Sequence, residues 1–195
     1  SYHGSTLGAL ALTGYTPMHA PFAPMMVDQP KIPAPTCYLD RHDLSDHDRG
    51  IKYANMLEEE IIKQGPETVL GFIMEPVGGA ATGALVAPDS YYGRIREICD
   101  QYGILLIYDE VMTGAGRTGK YFACEHWGIT PDILAVSKGL AAGYAPLGAM
   151  IAPDRIVGPV LDHGGFIHGY TYAGNPLACA AGNAVLDVID EDGLL

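Results

Sequence analysis

The chain has 195 residues, 48% of them hydrophobic, enough to bury a sizeable core and fitting one domain or one large piece of a domain. A formal charge of −12 and a pI near 4.7, with eleven scattered basic residues, exclude a surface built to hold a phosphate backbone, so nucleic acid is not an expected partner. No apolar run approaches the roughly 20 residues that span a bilayer, and the first residues lack a basic start followed by an apolar core. A cytoplasmic protein without a membrane partner is expected.

Ser1 opens the chain without an initiator Met, and Leu194 and Leu195 close it just after a helix-like run, so both ends read as cut from a longer protein. A Gly-rich start leads into residues 15–50. These hold Pro17, Pro21, Pro24, Pro30, Pro33 and Pro35, end in a polar run over 40–50, and predict an irregular surface excursion. His42, Asp46, His47 and Asp48 within it have the residue types of a metal site. No i, i+4 His pair fixes a geometry, and no metal is expected.

Ile51, Ala54, Leu57, Ile61 and Ile62 recur at helical spacing and predict a helix over 51–63. An apolar run at 69–74, a helix over 90–102 opened by Asp89, and a second apolar run at 104–108 make a β-α-β rhythm. Tyr91 and Tyr92 on that helix read as packing residues. Further strands are expected at 133–136 and 147–151. An Ala-rich helix is expected over 177–189, with Pro176 in its first turn. Strands apolar on both faces and joined through helices imply an α/β fold of three layers, α/β/α, around a mostly parallel sheet. Cys37, Cys99, Cys124 and Cys179 are far apart and form no CxxC, which suits buried free thiols in a reducing compartment.

In such sheets ligands sit at the carboxyl ends of the strands. Three apolar runs end in polar residues there: Glu75-Pro76, Asp109-Glu110 and Ser137-Lys138-Gly139. A carboxylate at the mouth of a buried strand needs a cation. Two partners suit Asp109: Lys138 in a plain ion pair, or the protonated nitrogen of a bound heterocycle. Lys138, flanked by Gly139 and followed by Ala142-Gly143-Tyr144, is a candidate nucleophile toward an aldehyde, and the two residues together suggest a Schiff-base site. Gly114 to Lys120 reads GAGRTGK and matches the glycine and lysine spacing of a nucleotide-binding P-loop. Tyr121 stands where a magnesium-binding Ser or Thr belongs, so an irregular turn is expected instead.

Tyr2-His3-Gly4, Glu75-Pro76-Val77, Asp109-Glu110-Val111 through Gly114-Ala115-Gly116-Arg117-Thr118-Gly119, Ser137-Lys138-Gly139, and His168-Gly169-Tyr170-Thr171-Tyr172-Ala173-Gly174-Asn175-Pro176 stand in one order. In that order they resemble the class III pyridoxal-phosphate-dependent aminotransferases, the group of ω-amino acid, ornithine and 4-aminobutyrate transaminases. The resemblance covers nearly the whole chain. It implies the large cofactor-binding domain of an aspartate aminotransferase-like fold, with residues 1–195 a part of that domain. The upstream phosphate-wrapping segment and the C-terminal small domain would then be missing.

The resemblance further implies that Lys138 carries pyridoxal 5'-phosphate as a Schiff base and shuttles the substrate proton, while Asp109 keeps the pyridine nitrogen protonated. It makes Tyr2 the aromatic residue on one ring face and Val111 the apolar residue on the other. His3 becomes a cofactor-side or structural residue, and Thr171 a phosphate contact reaching the partner's site in a homodimer. Glu75 becomes a substrate-side residue or a buried cap. The expected activity is transfer of an amino group from an amine or (ω-)amino acid to a keto acid. Aminomutase, racemase or decarboxylase chemistry, and a catalytically silent dimerising module, are the alternatives.

Overall fold

The computed structural model describes residues 1–36, 39 and 44–195, which divide into two compact units, Ser1–Leu106 and Ile107–Leu195. Cys37 and His42 lie outside the described residues.

The first unit opens with α1 (Leu7–Leu12), a helix too short to reveal a period in the sequence. Residues 15–36 run irregularly, as expected, apart from 3₁₀ turns at Thr16–Met18 and Ala23–Met25. Each of these carries a proline in its first two positions, where the missing N–H is harmless.

Helix α2 (Asp46–Gln64) begins five residues before the expected start, so residues 46–50 are helical and not part of the surface excursion. The polar run misled the reading because it is a cap signal. Ser45 Oγ accepts a hydrogen bond from the Asp48 amide at 3.1 Å, and Asp46 and Asp48 suit the positive end of the helix dipole. Among the described residues no group of three His, Cys, Asp or Glu is arranged to hold a metal.

Strand β1 (Gly71–Met74) and helix α3 (Asp89–Tyr102) follow. Helices α2 and α3 pack against each other and bury Tyr53, Ala54, Leu57 and Ile61 from one, and Tyr91, Tyr92, Ile95, Ile98 and Cys99 from the other. Arg94 closes the rim of this contact, donating to Asn55 Oδ1 at 2.8 Å and to Glu58 Oε2 at 2.7 Å. The helices approach closely at Gly50, where a Cβ would meet the Tyr91 amide nitrogen at 2.9 Å, Pro88 Cβ at 3.1 Å and also Ser90 Oγ. Gly50→Ala is therefore expected to lower stability by about 1–3 kcal/mol through overpacking, read as a fall in the urea midpoint at constant slope.

The Tyr92 hydroxyl, fully buried, donates to the Pro76 carbonyl at 2.7 Å and accepts from the Ala87 amide at 3.2 Å. The residue expected only to pack thus also ties down the chain that leaves β1. Helix α3 stops at Gly103, whose left-handed φ of 64° turns the backbone so that the Ile104 amide reaches the Cys99 carbonyl. The Leu105 amide then donates to the Leu70 carbonyl at 3.0 Å, which sets β1 beside the start of β2 (Leu105–Asp109).

In the second unit, residues 107–109 of β2 pair in parallel with β3 (Ile133–Val136), Asp109 facing Ala135. Strand β3 pairs antiparallel with β4 (Ala149–Ile151), Val136 facing Ala149. Strand order along the sheet is β1-β2-β3-β4. Strand β4 starts two residues later than its apolar run because the Leu147 carbonyl is taken by Ser137 Oγ at 2.7 Å. Helix α4 (Asp154–Asp162) was not legible, since Gly158 and Pro159 interrupt its pattern. Helix α5 (Pro176–Glu191) starts on Asn175, whose Oδ1 accepts from the Leu177 and Ala178 amides at 3.0 and 3.1 Å. Its small residues let it pack on the 3₁₀ turn Lys138–Ala141. A Cβ on Gly182 would stand 2.6 Å from Leu147 Cδ2.

Candidate active site

Strand β2 is apolar until its last residue, and Asp109 is only 7% exposed there. Its Oδ1 accepts the Val111 amide at 3.1 Å, which turns the chain out of the strand. Because β2 and β3 are parallel with Asp109 opposite Ala135, both strands end at the same edge of the sheet, and Lys138 follows three residues after Ala135. The parallel register thus brings Asp109, Val111 and Lys138 to adjacent strand ends.

Lys138 has a φ of 41°, in the left-handed region, where a residue with a Cβ costs on the order of 1–3 kcal/mol. The turn is held by Ser137 Oγ on the Leu147 carbonyl and by the Leu140 amide on the Ser137 carbonyl at 2.9 Å. Lys138 Nζ donates to Met112 Sδ at 2.9 Å, and a thioether is a weak acceptor. Among the described residues no carboxylate pairs with this amine, so the plain Asp109–Lys138 ion pair, one of the two alternatives left open by the sequence, is not formed.

The other expected site residues stand as follows. Val111 is half-buried. Thr171 lies in an exposed turn of the second unit, ahead of the Asn175 cap of α5. Tyr2, His3 and Glu75 belong to the first unit. The Tyr2 hydroxyl is 2.7 Å from Ser5 Oγ, and the His3 amide donates to Thr13 Oγ1 at 2.9 Å. Glu75, just past β1, accepts the Gly79 amide at 3.2 Å and so caps the turn that follows it.

Two further residues were not singled out by the sequence. Met112 meets Lys138 but carries only an apolar signature. Glu110 stood visibly beside Asp109 without a role. The GAGRTGK segment is not a phosphate loop: the Gly114, Gly116 and Gly119 amides are taken by the carbonyls of Glu110, Tyr121 and Gly116, and a 3₁₀ turn, Ala123–Trp127, follows. Cys124 is no nucleophile either. Burial, then the charge and hydrogen bonding of Glu110, push its thiol up to about 12, so it stays protonated near neutral pH.

The family model described as aminotransferase class-III matches residues 1–195. The chain belongs to this family. It is 43% identical over 195 residues to a probable aminotransferase of Mycobacterium tuberculosis, a match that covers 100% of this chain and 42% of that protein. It is 41% identical over 204 residues to the adenosylmethionine-8-amino-7-oxononanoate aminotransferase of Geobacter sulfurreducens, covering 100% of this chain and 44% of the relative. Among solved structures, a thermostable (S)-enantioselective omega-transaminase from Thermomicrobium roseum superposes with a TM-score of 0.92 at 39% identity, covering 98% of this chain and 42% of that one. The chain therefore spans less than half the length of these relatives.

Class III aminotransferases use pyridoxal phosphate, and the residues at the β2–β3 edge fit it. The protonated ring nitrogen calls for a carboxylate shielded from water, which Asp109 supplies. The aldehyde calls for an amine that no carboxylate holds, which Lys138 supplies.

Proposed function

We propose that the protein is a pyridoxal-phosphate-dependent transaminase that moves an amino group from an amine or (ω-)amino acid to a keto acid. The observation that carries this reading is a strained lysine without a carboxylate partner, set one strand over from a buried aspartate at the same edge of a parallel pair. When bound, pyridoxal phosphate supplies an aldehyde for the amine and a ring that takes up the electron pair left by deprotonation.

In this reading Lys138 holds the cofactor covalently. Lys138 would also be the base that takes the proton from the substrate carbon and returns it, once its amine is free. Asp109 keeps the ring nitrogen protonated by accepting its hydrogen bond, and a charged acceptor makes that bond about twice as strong as a neutral one. By the family resemblance Val111 would serve as the apolar residue and Tyr2 as the aromatic residue toward the cofactor ring, and His3 as a cofactor-side residue. Thr171 reaches the cofactor phosphate of a second copy, which makes the working unit a homodimer, and Glu75 stands on the substrate side. The free thiols Cys99, Cys124 and Cys179 support a reducing, cytoplasmic setting.

The reading is tested by the half-reaction. The protein loaded with pyridoxal phosphate and given a primary amine alone should release one equivalent of carbonyl product per site and then stop. A keto acid should restart it, giving parallel lines in double-reciprocal plots, as a ping-pong route requires. Release of carbon dioxide, or a racemised or rearranged amine, would instead assign one of the related chemistries. A covalent adduct that yields no product would mark a silent module.

A further inference from the structure

Glu110 is 0% exposed, yet its side chain is a carboxylate. An ion in that position is tolerated only when fully hydrogen-bonded. Its Oε2 accepts from Thr113 Oγ1 and from the Ala123 amide, both at 2.7 Å, and its Oε1 accepts from the Cys124 amide at 2.8 Å. The backbone of the same residue is committed as well: its amide donates to the Ala135 carbonyl of β3 at 2.8 Å, and its carbonyl accepts from the Gly114 amide at 2.8 Å.

The residue that follows β2 therefore closes the loop over 111–124, through Thr113 near its start and Ala123 and Cys124 at its end, and pins it to β3. The loop meets the Lys138 turn at Met112, Gly114 and Ala115. Met112 Sδ accepts the Lys138 amine, and the Gly114 carbonyl lies so near Gly139 that a Cβ there would be 3.3 Å away. Gly114 has equally little room, since a Cβ would meet the Glu110 carbonyl at 2.9 Å and Val136 Cγ2 at 3.0 Å.

We propose that Glu110 is a positioning residue for the Lys138 amine: its buried carboxylate clamps the 111–124 loop, and the loop in turn fixes the Lys138 turn at the edge where Asp109 ends β2. The clamp rests on the transaminase reading for its purpose, though not for its geometry. Glutamine cannot replace the carboxylate, because three donors converge on it. Whichever way the amide is turned, its NH₂ faces at least one of the Ala123 and Cys124 N–H groups. Thr113→Val removes one donor and leaves the two backbone amides in place, so it loosens the clamp while keeping the carboxylate paired.

The test compares the wild-type protein with Glu110→Gln and Thr113→Val in two measurements. Amide hydrogen exchange without cofactor should show faster exchange across residues 111–124 in both variants, and more in Glu110→Gln, with α2 and α3 unchanged. Borohydride trapping of pyridoxal phosphate on Lys138, followed by peptide mass, should slow by roughly ten- to a hundred-fold in Glu110→Gln, the scale expected of an ångström-sized misplacement. Thr113→Val should slow it by a smaller factor. The pH at which the visible band of the bound cofactor shifts should also move in both variants, a readout that mere loss of stability would leave in place. If Glu110→Gln does not fold, Thr113→Val alone decides. Unchanged loop exchange, or an unchanged trapping rate and band position in Thr113→Val, overturns the proposal. A wild-type protein that takes no label on Lys138 overturns the transaminase reading, whatever the exchange data show of the clamp.

Discussion

Lys138→Ala will leave the protein without a reducible pyridoxyl linkage, and peptide mapping after borohydride treatment will find no other lysine labelled in its place. In the proposed reading two functions would end with this one side chain: the covalent hold on the cofactor and the movement of the substrate proton. A positioned base alone is worth roughly 10²- to 10⁴-fold, so transamination should fall by at least that factor. The fold should survive, because the Lys138 side chain is exposed and its hydrogen bond goes to a thioether. A companion substitution separates chemistry from stability. With φ at 41°, this position favours glycine, so Lys138→Gly should be equally inactive yet raise stability by about 1 kcal/mol in urea unfolding. That combination would show a strained backbone kept for the sake of its side chain. Strong labelling of Lys120, or of any lysine but Lys138, would remove the central assignment.

The second large effect is expected at Asp109. Asp109→Asn preserves shape, and the amide oxygen can still accept the Val111 amide, so the exit from β2 should persist. What disappears is the negative charge in a site only 7% exposed. Losing one partner of a buried, hydrogen-bonded charge pair costs about 2–5 kcal/mol, so cofactor affinity should weaken by roughly 30-fold or more. Turnover should fall beyond what resaturation with pyridoxal phosphate restores, because a neutral acceptor no longer favours the protonated ring that draws electrons from the substrate carbon. Equilibrium titration of cofactor absorbance, followed by rates at saturating cofactor, separates the two losses. Wild-type affinity and wild-type turnover in Asp109→Asn would mean that the carboxylate serves only to cap the turn at Val111.

Much of this was legible in the residues themselves. The apolar runs at 69–74, 104–108 and 133–136 announced β1, β2 and β3, although in the structure β2 and β3 alternate between buried and half-buried residues and β1 is mostly half-buried. The periodic positions of α2 and α3 likewise announced the helices that pack together. Asp109 stood out because a carboxylate directly after such a run loses much of its water and needs a reason to be there, and Lys138 because it follows the next run at the same kind of strand end, beside Gly139. Signals that depend on a few local atoms were weaker. Residues 46–50 carried the polarity of a loop because they form the first turn of a helix. Six residues of α1 are too few to display a period, and Pro159 hid α4.

The sequence by itself determined which residues could do chemistry, through the contrast between apolar strands and the charges at their ends. The tertiary structure alone decided how those residues meet. Only the parallel register of β2 on β3 sets Asp109 and Lys138 at one edge, and only the fold reveals that the lysine rests on Met112 and not on the aspartate. The three donors that converge on Glu110 come from residues 3 to 14 positions further along the chain. No local pattern encodes such a convergence, because it arises when a loop closes on itself and a buried charge must be satisfied wherever the chain happens to return.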